Sequence, residues 1–395
     1  MYPRDPIRKT TPGLLRAFAL ALMALSGLLA WAQQPAPAQP EPQQPQAPAE
    51  AGGPQGEVGP MALPKKKDEP PPERKPEFKN PAGMPEYSLR VDVPLVQVPV
   101  LVTTKDGQFI PGLKKENFRV FEDGVPQRVT VVTQSADLPI TAVLLVEFAS
   151  TYYRFNYDAL NASYTFANTL KPNDWIAVIS YDMRPQMLTD FTQDKRAVYS
   201  ALDTLRIPGL SEIDSWDALY DTLDRLERVE GHKYILWIGT GLDTFSRITY
   251  DKVLKKVKDA RDVTIFCVGT GRMVREYIQN RSLTGSVGAR IASLDFLQAE
   301  NAMNTICKMT GGRFYFPHFE GELKEIFADI GQSVRNQYTV AYKPSNTKQD
   351  GTFRKLKVDV VAPDGGPLIV HNEKGKNVKY QVVARDGYNA KHEVE

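Results

Sequence analysis

From residue 140 onward the sequence alternates continuous apolar runs with stretches of helical periodicity, and few folds accommodate that alternation. The runs occupy 141–146, 175–180, 234–238 and 263–268. Runs without a polar alternate suit strands covered on both faces, as in a parallel sheet. Between them apolar residues return every three or four positions over 157–170, 195–205, 216–229 and 250–260, which predicts amphipathic helices. The clearest stripe is Trp216, Leu219, Tyr220, Leu223 and Leu226. Another, Phe319, Leu323, Ile326, Phe327, Ile330 and Val334, predicts a last helix. Such β-α order predicts an α/β domain with an open, doubly wound, mostly parallel sheet over 137–335.

On either side the period changes to two. Val96, Val98, Val100 and Val102 alternate with other residues, and Pro94 and Pro99 interrupt them, which predicts edge strands or bulges. Turn signals at Asp106-Gly107 and Asp123-Gly124 complete a small β-unit over 87–136. Strand-like runs return at 338–342, 356–360, 368–370 and 378–383 within 336–395. Two arrangements are open: these strands pair with the first β-unit, the α/β domain being inserted between its halves, or they form a separate extension.

The N-terminal segment carries Arg4, Arg8, Lys9 and Arg16, then an apolar stretch from 17 to 29 and Ala30-Trp31-Ala32. This is the order of a signal peptide with cleavage before Gln33. An uncleaved anchor is the alternative, but the apolar core is short against the roughly 20 residues that span a bilayer. Residues 33–86 hold 15 prolines among Gln, Ala and Glu, a composition that cannot bury a core, and read as a linker. A net charge of +2 gives no bulk attraction to nucleic acid. Lys65-Lys66-Lys67 alternates with acids in the proline tract and reads as a solvated tether. Cys267 and Cys307 sit on apolar positions of a strand and a helix, so buried thiols and an export-favoured disulfide are both open.

In a doubly wound sheet, ligands bind beyond the C-terminal strand ends. Glu147-Phe148-Ala149-Ser150-Thr151 follows the first run, and Gly239-Thr240-Gly241-Leu242-Asp243 follows the run at 234–238. These segments, with Glu116 to Gly124, Asp217-Ala218-Leu219-Tyr220-Asp221 and Gly311-Gly312-Arg313-Phe314-Tyr315, resemble the von Willebrand factor A-related proteins exported by bacteria, over roughly 87–390. The resemblance implies a metal-ion-dependent adhesion site: a D-x-S-x-S loop after the first strand, a threonine from a later loop and an aspartate after the fourth strand. Oxygen ligands of that kind suit Mg²⁺ or Ca²⁺. Here those positions hold Glu147, Ala149, Thr151, Asp217 and Thr240, with Asp243 just beyond the last. Either Glu147, Thr151, Asp217 and Asp243 form a different oxygen cage, or the site is lost and these side chains cap helices and pair locally. Magnesium's near-octahedral demand favours loss, so no cofactor is expected, with Mg²⁺ or Ca²⁺ as the alternative.

Gly239-Thr240-Gly241 and Gly269-Thr270-Gly271 lack the third glycine of a dinucleotide loop and read as tight turns. No nucleophile-elbow, zinc-protease or Walker motif is present. Residues 272–293 read as a long basic loop with Arg272, Arg275, Tyr277 and Arg281, and with exposed Tyr152, Tyr153 and Phe155 they are the candidate partner surface. The expectation is therefore an exported, periplasmic or secreted module that binds a protein or envelope surface without obligatory metal. Metal-dependent capture through a remodelled site is second, and a hydrolase third.

Overall fold

Strands whose residues are apolar without interruption need cover on both sides, and the computed structural model supplies it with two layers of helices. The structure describes residues 95–390 apart from 106, 135–137, 208, 282–286 and 372–374, and leaves the side chains of 206, 281 and 287–292 undescribed. The segments expected as signal peptide and linker, 1–86, lie outside the described residues.

The chain enters through four strands, β1 (Val96–Thr104), β2 (Phe118–Glu122), β3 (Val125–Gln127) and β4 (Val129–Gln134). The α/β domain follows with β5 (Thr141–Glu147), α1 (Tyr153–Thr169), β6 (Trp175–Tyr181), β7 (Pro185–Thr192), α2 (Lys195–Asp203), α3 (Ser215–Leu226) and β8 (Lys233–Gly239). It continues with α4 (Tyr250–Asp259), β9 (Val263–Gly269), α5 (Gly271–Arg281), α6 (Val287–Met309), β10 (Phe314–Tyr315) and α7 (Leu323–Asn336). After it come β11 (Tyr338–Tyr342), β12 (Phe353–Val360), β13 (Val370–His371), β14 (Asn377–Val378), β15 (Tyr380–Ala384) and β16 (Gly387–Asn389).

The central sheet has the order β10-β9-β8-β5-β6-β7. Counting from β5 as the first strand, that is 3-2-1-4-5-6 read from the β7 edge, the doubly wound order. All neighbours are parallel except β6 and β7. Every residue of β5, β6, β8 and β9 is buried. Alternate residues of β5 feed two cores. Val143 and Leu145 pack with Leu219 and Leu223 of α3, Val253 and Val257 of α4, and Met303 and Ile306 of α6. Ala142, Leu144 and Val146 pack with Leu160 and Phe166 of α1, Val198 and Leu202 of α2, and Phe327 and Ile330 of α7.

Three details differ from the sequence expectations or add to them. β7 was not foreseen: it opens on Pro185, is half-buried, and its register against β6 shifts twice, so its pattern carries no clean period. Residues 272–281 are helix, not loop. Gly271 opens α5, and Met273 and Val274 are buried while Tyr277 and Ile278 are half-buried, a stripe masked in the sequence by the arginines between them. Cys267 and Cys307 form a disulfide that ties β9 to α6 inside the first core.

The flanking strands make two four-stranded sheets, β15-β1-β11-β4 and β16-β12-β2-β3, so strands from before and after the α/β domain pair with each other. Val98, Val100, Phe118, Tyr338, Tyr342 and Val358 fill the space between them. Pro99, although inside central β1, lies where the β15 ladder has ended: β15 pairs from Val100 onward, and only β11 runs alongside Pro99. A residue without an N–H is tolerated on a side that has no ladder.

Candidate functional site

The site is built where β5 and β8 end side by side. Glu147 is the last residue of β5, and its carboxylate is completely buried. Thr240 donates both its backbone N–H and its hydroxyl to Oε2 of Glu147, each at 2.7 Å. Asn156, one turn into α1, donates its amide to Oε1 at 2.9 Å, and its own Oδ1 accepts the Thr270 hydroxyl at 2.7 Å. Thr270 in turn donates its backbone N–H to the Gly239 carbonyl. Asn156 is 2% exposed, and Glu147, Thr240 and Thr270 are at zero.

Local sequence explains why the longer carboxylate fits. A Cβ on Gly239 would stand 2.7 Å from Oε2 of Glu147 and 2.8 Å from the Tyr181 hydroxyl, so glycine there leaves the volume into which Glu147 extends. Burial pushes the Glu147 carboxyl up to about 7, against the bonds from Thr240 and Asn156, which favour the charged form.

The other positions implied by the family resemblance point elsewhere. Ala149 is fully buried in the core and offers no oxygen. The Thr151 hydroxyl donates to the Ser211 carbonyl at 2.9 Å. Asp217 accepts the backbone N–H groups of Arg247 (3.1 Å) and Ile248 (2.8 Å). Asp243 accepts the Ser246 hydroxyl at 2.5 Å. Among the described residues no group of three or more His, Cys, Asp or Glu is placed to hold a metal ion. A six-oxygen magnesium shell does not fit this donor set: the Glu147 oxygens are taken up by Thr240 and Asn156.

Two further carboxylates join Asp217 and Asp243 at the same edge, and the sequence reading overlooked both. Asp182, after β6, accepts the Leu210 N–H at 2.9 Å through Oδ2, while its carbonyl accepts the N–H of Asp214. Asp214 is 2% exposed, and its Oδ1 has no hydrogen-bond partner. Burial, then Asp217, Asp182 and Asp243, push the Asp214 carboxyl up to about 7. The proximity of 182, 214, 217 and 243 follows from the loops, not from any local motif.

The aromatic and basic residues expected as an exposed partner surface are half-buried and held internally. The Tyr152 ring meets Phe296 at 5.4 Å, and Tyr153 meets Phe148 at 5.7 Å while donating its hydroxyl to the Leu205 carbonyl. Phe155 packs edge-on against Tyr277 at 5.6 Å. Arg272 pairs with Glu276 at 3.1 Å and lies over the Phe316 ring. Arg275 pairs with Glu300, each side chain 14% exposed. The Arg281 side chain is outside the described residues. The expectation of an exposed face is corrected by this packing: helix α5 turns Arg272 and Arg275 onto neighbouring acids and a ring.

No family model and no curated protein matches the sequence. Among solved structures, the chain is similar to the vWF domain of the type V pili tip protein Mfa5 from Porphyromonas gingivalis. Identity is 12%, coverage 50% of this chain and 95% of that one, and the TM-score 0.37. It is also similar to a von Willebrand factor type A structure from Catenulispora acidiphila, at 10% identity, 75% coverage of both chains and a TM-score of 0.39. A third is the conserved hypothetical protein BatB from Bacteroides thetaiotaomicron, at 10% identity, 50% and 100% coverage and a TM-score of 0.32. These likenesses concern the fold alone, and the fold rests on the strand order given above.

Proposed function

We propose that this chain, whose α/β domain has a von Willebrand factor A-like fold, is an exported binding module that engages a protein partner without an obligatory metal ion. One observation carries the reading: the Glu147 carboxylate is filled by Thr240 and Asn156. An adhesion-type metal needs an open carboxylate and an open coordination position for the partner. Here three donors converge on Glu147 and no solvent reaches it, so partner contacts fall to the loops around the strand ends.

Export is supported by the signal-like N-terminus and by the Cys267–Cys307 disulfide, a bond that persists in oxidising compartments. Among the described residues no helix is long and apolar enough to cross a membrane. The neighbour from Porphyromonas gingivalis is, by its description, part of a pilus tip protein, which accords with a binding role at a cell envelope.

The reading is tested by pull-down from envelope extract with the chain from Gln33 onward as bait, in EDTA and in Mg²⁺ plus Ca²⁺. The same partner is expected in both buffers. A partner retained only with the divalent cations would contradict the metal-free reading.

A further inference from the structure

Where a metal would bring positive charge to the strand ends, this chain has carboxylates. Asp182, Asp214, Asp217 and Asp243 are gathered there by hydrogen bonds between their loops: Asp214 N–H to the Asp182 carbonyl at 2.9 Å, Trp216 N–H to the Asp243 carboxylate at 3.4 Å, and Ile248 N–H to the Asp217 carboxylate at 2.8 Å. Asp217, Asp182 and Asp243, all of one sign, act on the Asp214 carboxyl. Its Oδ1 is buried and without a partner, an acceptor that costs free energy until a donor reaches it. The exposed side chains Arg184 and Arg247 flank the edge without an ion pair to these carboxylates among the described residues.

The same loops expose apolar side chains. Ile207 is 80% exposed, Leu210 54% and Phe245 44%. Two of them are fixed to the acidic edge: Leu210 donates its N–H to Asp182 and accepts that of Ser150, and Phe245 donates its N–H to the Ile213 carbonyl, next to Asp214. Apolar groups presented around a polar centre are the pattern of a protein-binding surface.

We propose that this edge takes a lysine or arginine side chain of a protein partner among Asp182, Asp214, Asp217 and Asp243, with Ile207, Leu210 and Phe245 covering the apolar residues beside that cation. The proposal rests on the metal-free reading above and names the partner chemistry. Distance separates the two kinds of cation. A metal needs oxygens converging to about 2.0–2.6 Å, which these side chains do not supply, whereas ammonium and guanidinium donors reach oxygens at about 2.7–3.2 Å and need less convergence. A metal-bearing site recruits a carboxylate; an uncompensated acidic one recruits the opposite charge.

The test is selection of random displayed peptides on the immobilised chain from Gln33 onward, in EDTA and, in parallel, in Mg²⁺. Peptides enriched in EDTA are expected to carry Lys or Arg beside apolar residues. They should lose about tenfold or more in affinity against a D182N/D217N variant, in which amide oxygens still accept the loop N–H bonds. A second variant, Phe245→Ser, should also weaken them. Asp221→Asn, which removes a carboxylate paired with Arg225 on α3, should leave binding unchanged. Enriched peptides that lack a basic residue, or that bind D182N/D217N as well as the parent, overturn the inference and leave metal-free binding standing. Peptides enriched only in Mg²⁺ overturn the metal-free reading itself, and absence of enrichment in both buffers overturns the inference.

Discussion

At the scale of single residues, Glu147 and Thr240 answer each other across the ends of β5 and β8. The Glu147 carboxylate faces two donors from Thr240 and one from Asn156. Thr240→Val keeps the shape and removes the hydroxyl, so it should cost about 1–3 kcal/mol in denaturant unfolding. Glu147 also imposes a pH dependence. Its carboxyl titrates at about 7 when folded and near 4.5 when solvated, so the unfolded chain loses this proton first as pH rises. Its contribution is fully present below about 4.5 and is lost toward 7, at up to about 1.4 kcal/mol per pH unit. The stability of the parent relative to Glu147→Gln should therefore fall from pH 5 to pH 7, read as urea midpoints; a constant difference would contradict the buried titration. The sequence showed which positions departed. It did not show that they compensate, because Glu147 and Thr240 lie 93 residues apart, and nothing local marks Asn156 as the third partner.

At the scale of elements, legibility followed burial. Runs such as 141–146 and 234–238, covered on both faces, were plain as strands because all but Thr141 are apolar. β7 and α5 were not, since a half-buried edge with register shifts and a helix rich in arginine carry mixed patterns. The disulfide could not be read from two apolar positions. It joins β9 to α6 across 40 residues, so the double variant Cys267→Ala/Cys307→Ala should lower stability by about 2–4 kcal/mol, and a reductant should lower the parent's melting temperature but not the variant's. The turn before β10 has its own requirement. Gly311 has φ +79°, and a Cβ on Gly312 would come within 2.0 Å of the Ile265 carbonyl oxygen, which accounts for the glycine pair in that motif.

At the scale of the molecule, the β-strands at either end of the described chain are locked to the α/β domain. Arg385, 2% exposed, donates to the carbonyls of Gly387, Ala260 and Arg261, the last two just past the C-terminus of α4, where a cation is favoured. Arg261 reaches back to the Asn389 carbonyl, and Asn389 to Asp259. The parent should unfold in one calorimetric transition, and Arg385→Met should split it in two; a single transition in the variant would place the coupling elsewhere. This body presents at its strand ends an acidic, apolar-rimmed edge whose first carboxylate is already occupied. The decisive measurement is a calorimetric titration of the chain from Gln33 onward with Mg²⁺ and with Ca²⁺, paired with melting curves in each cation and in EDTA. No saturable heat at millimolar concentration and superimposable melts are the expected result. Saturable binding at millimolar or tighter, with a rise in melting temperature that Glu147→Gln abolishes, would contradict a metal-free site.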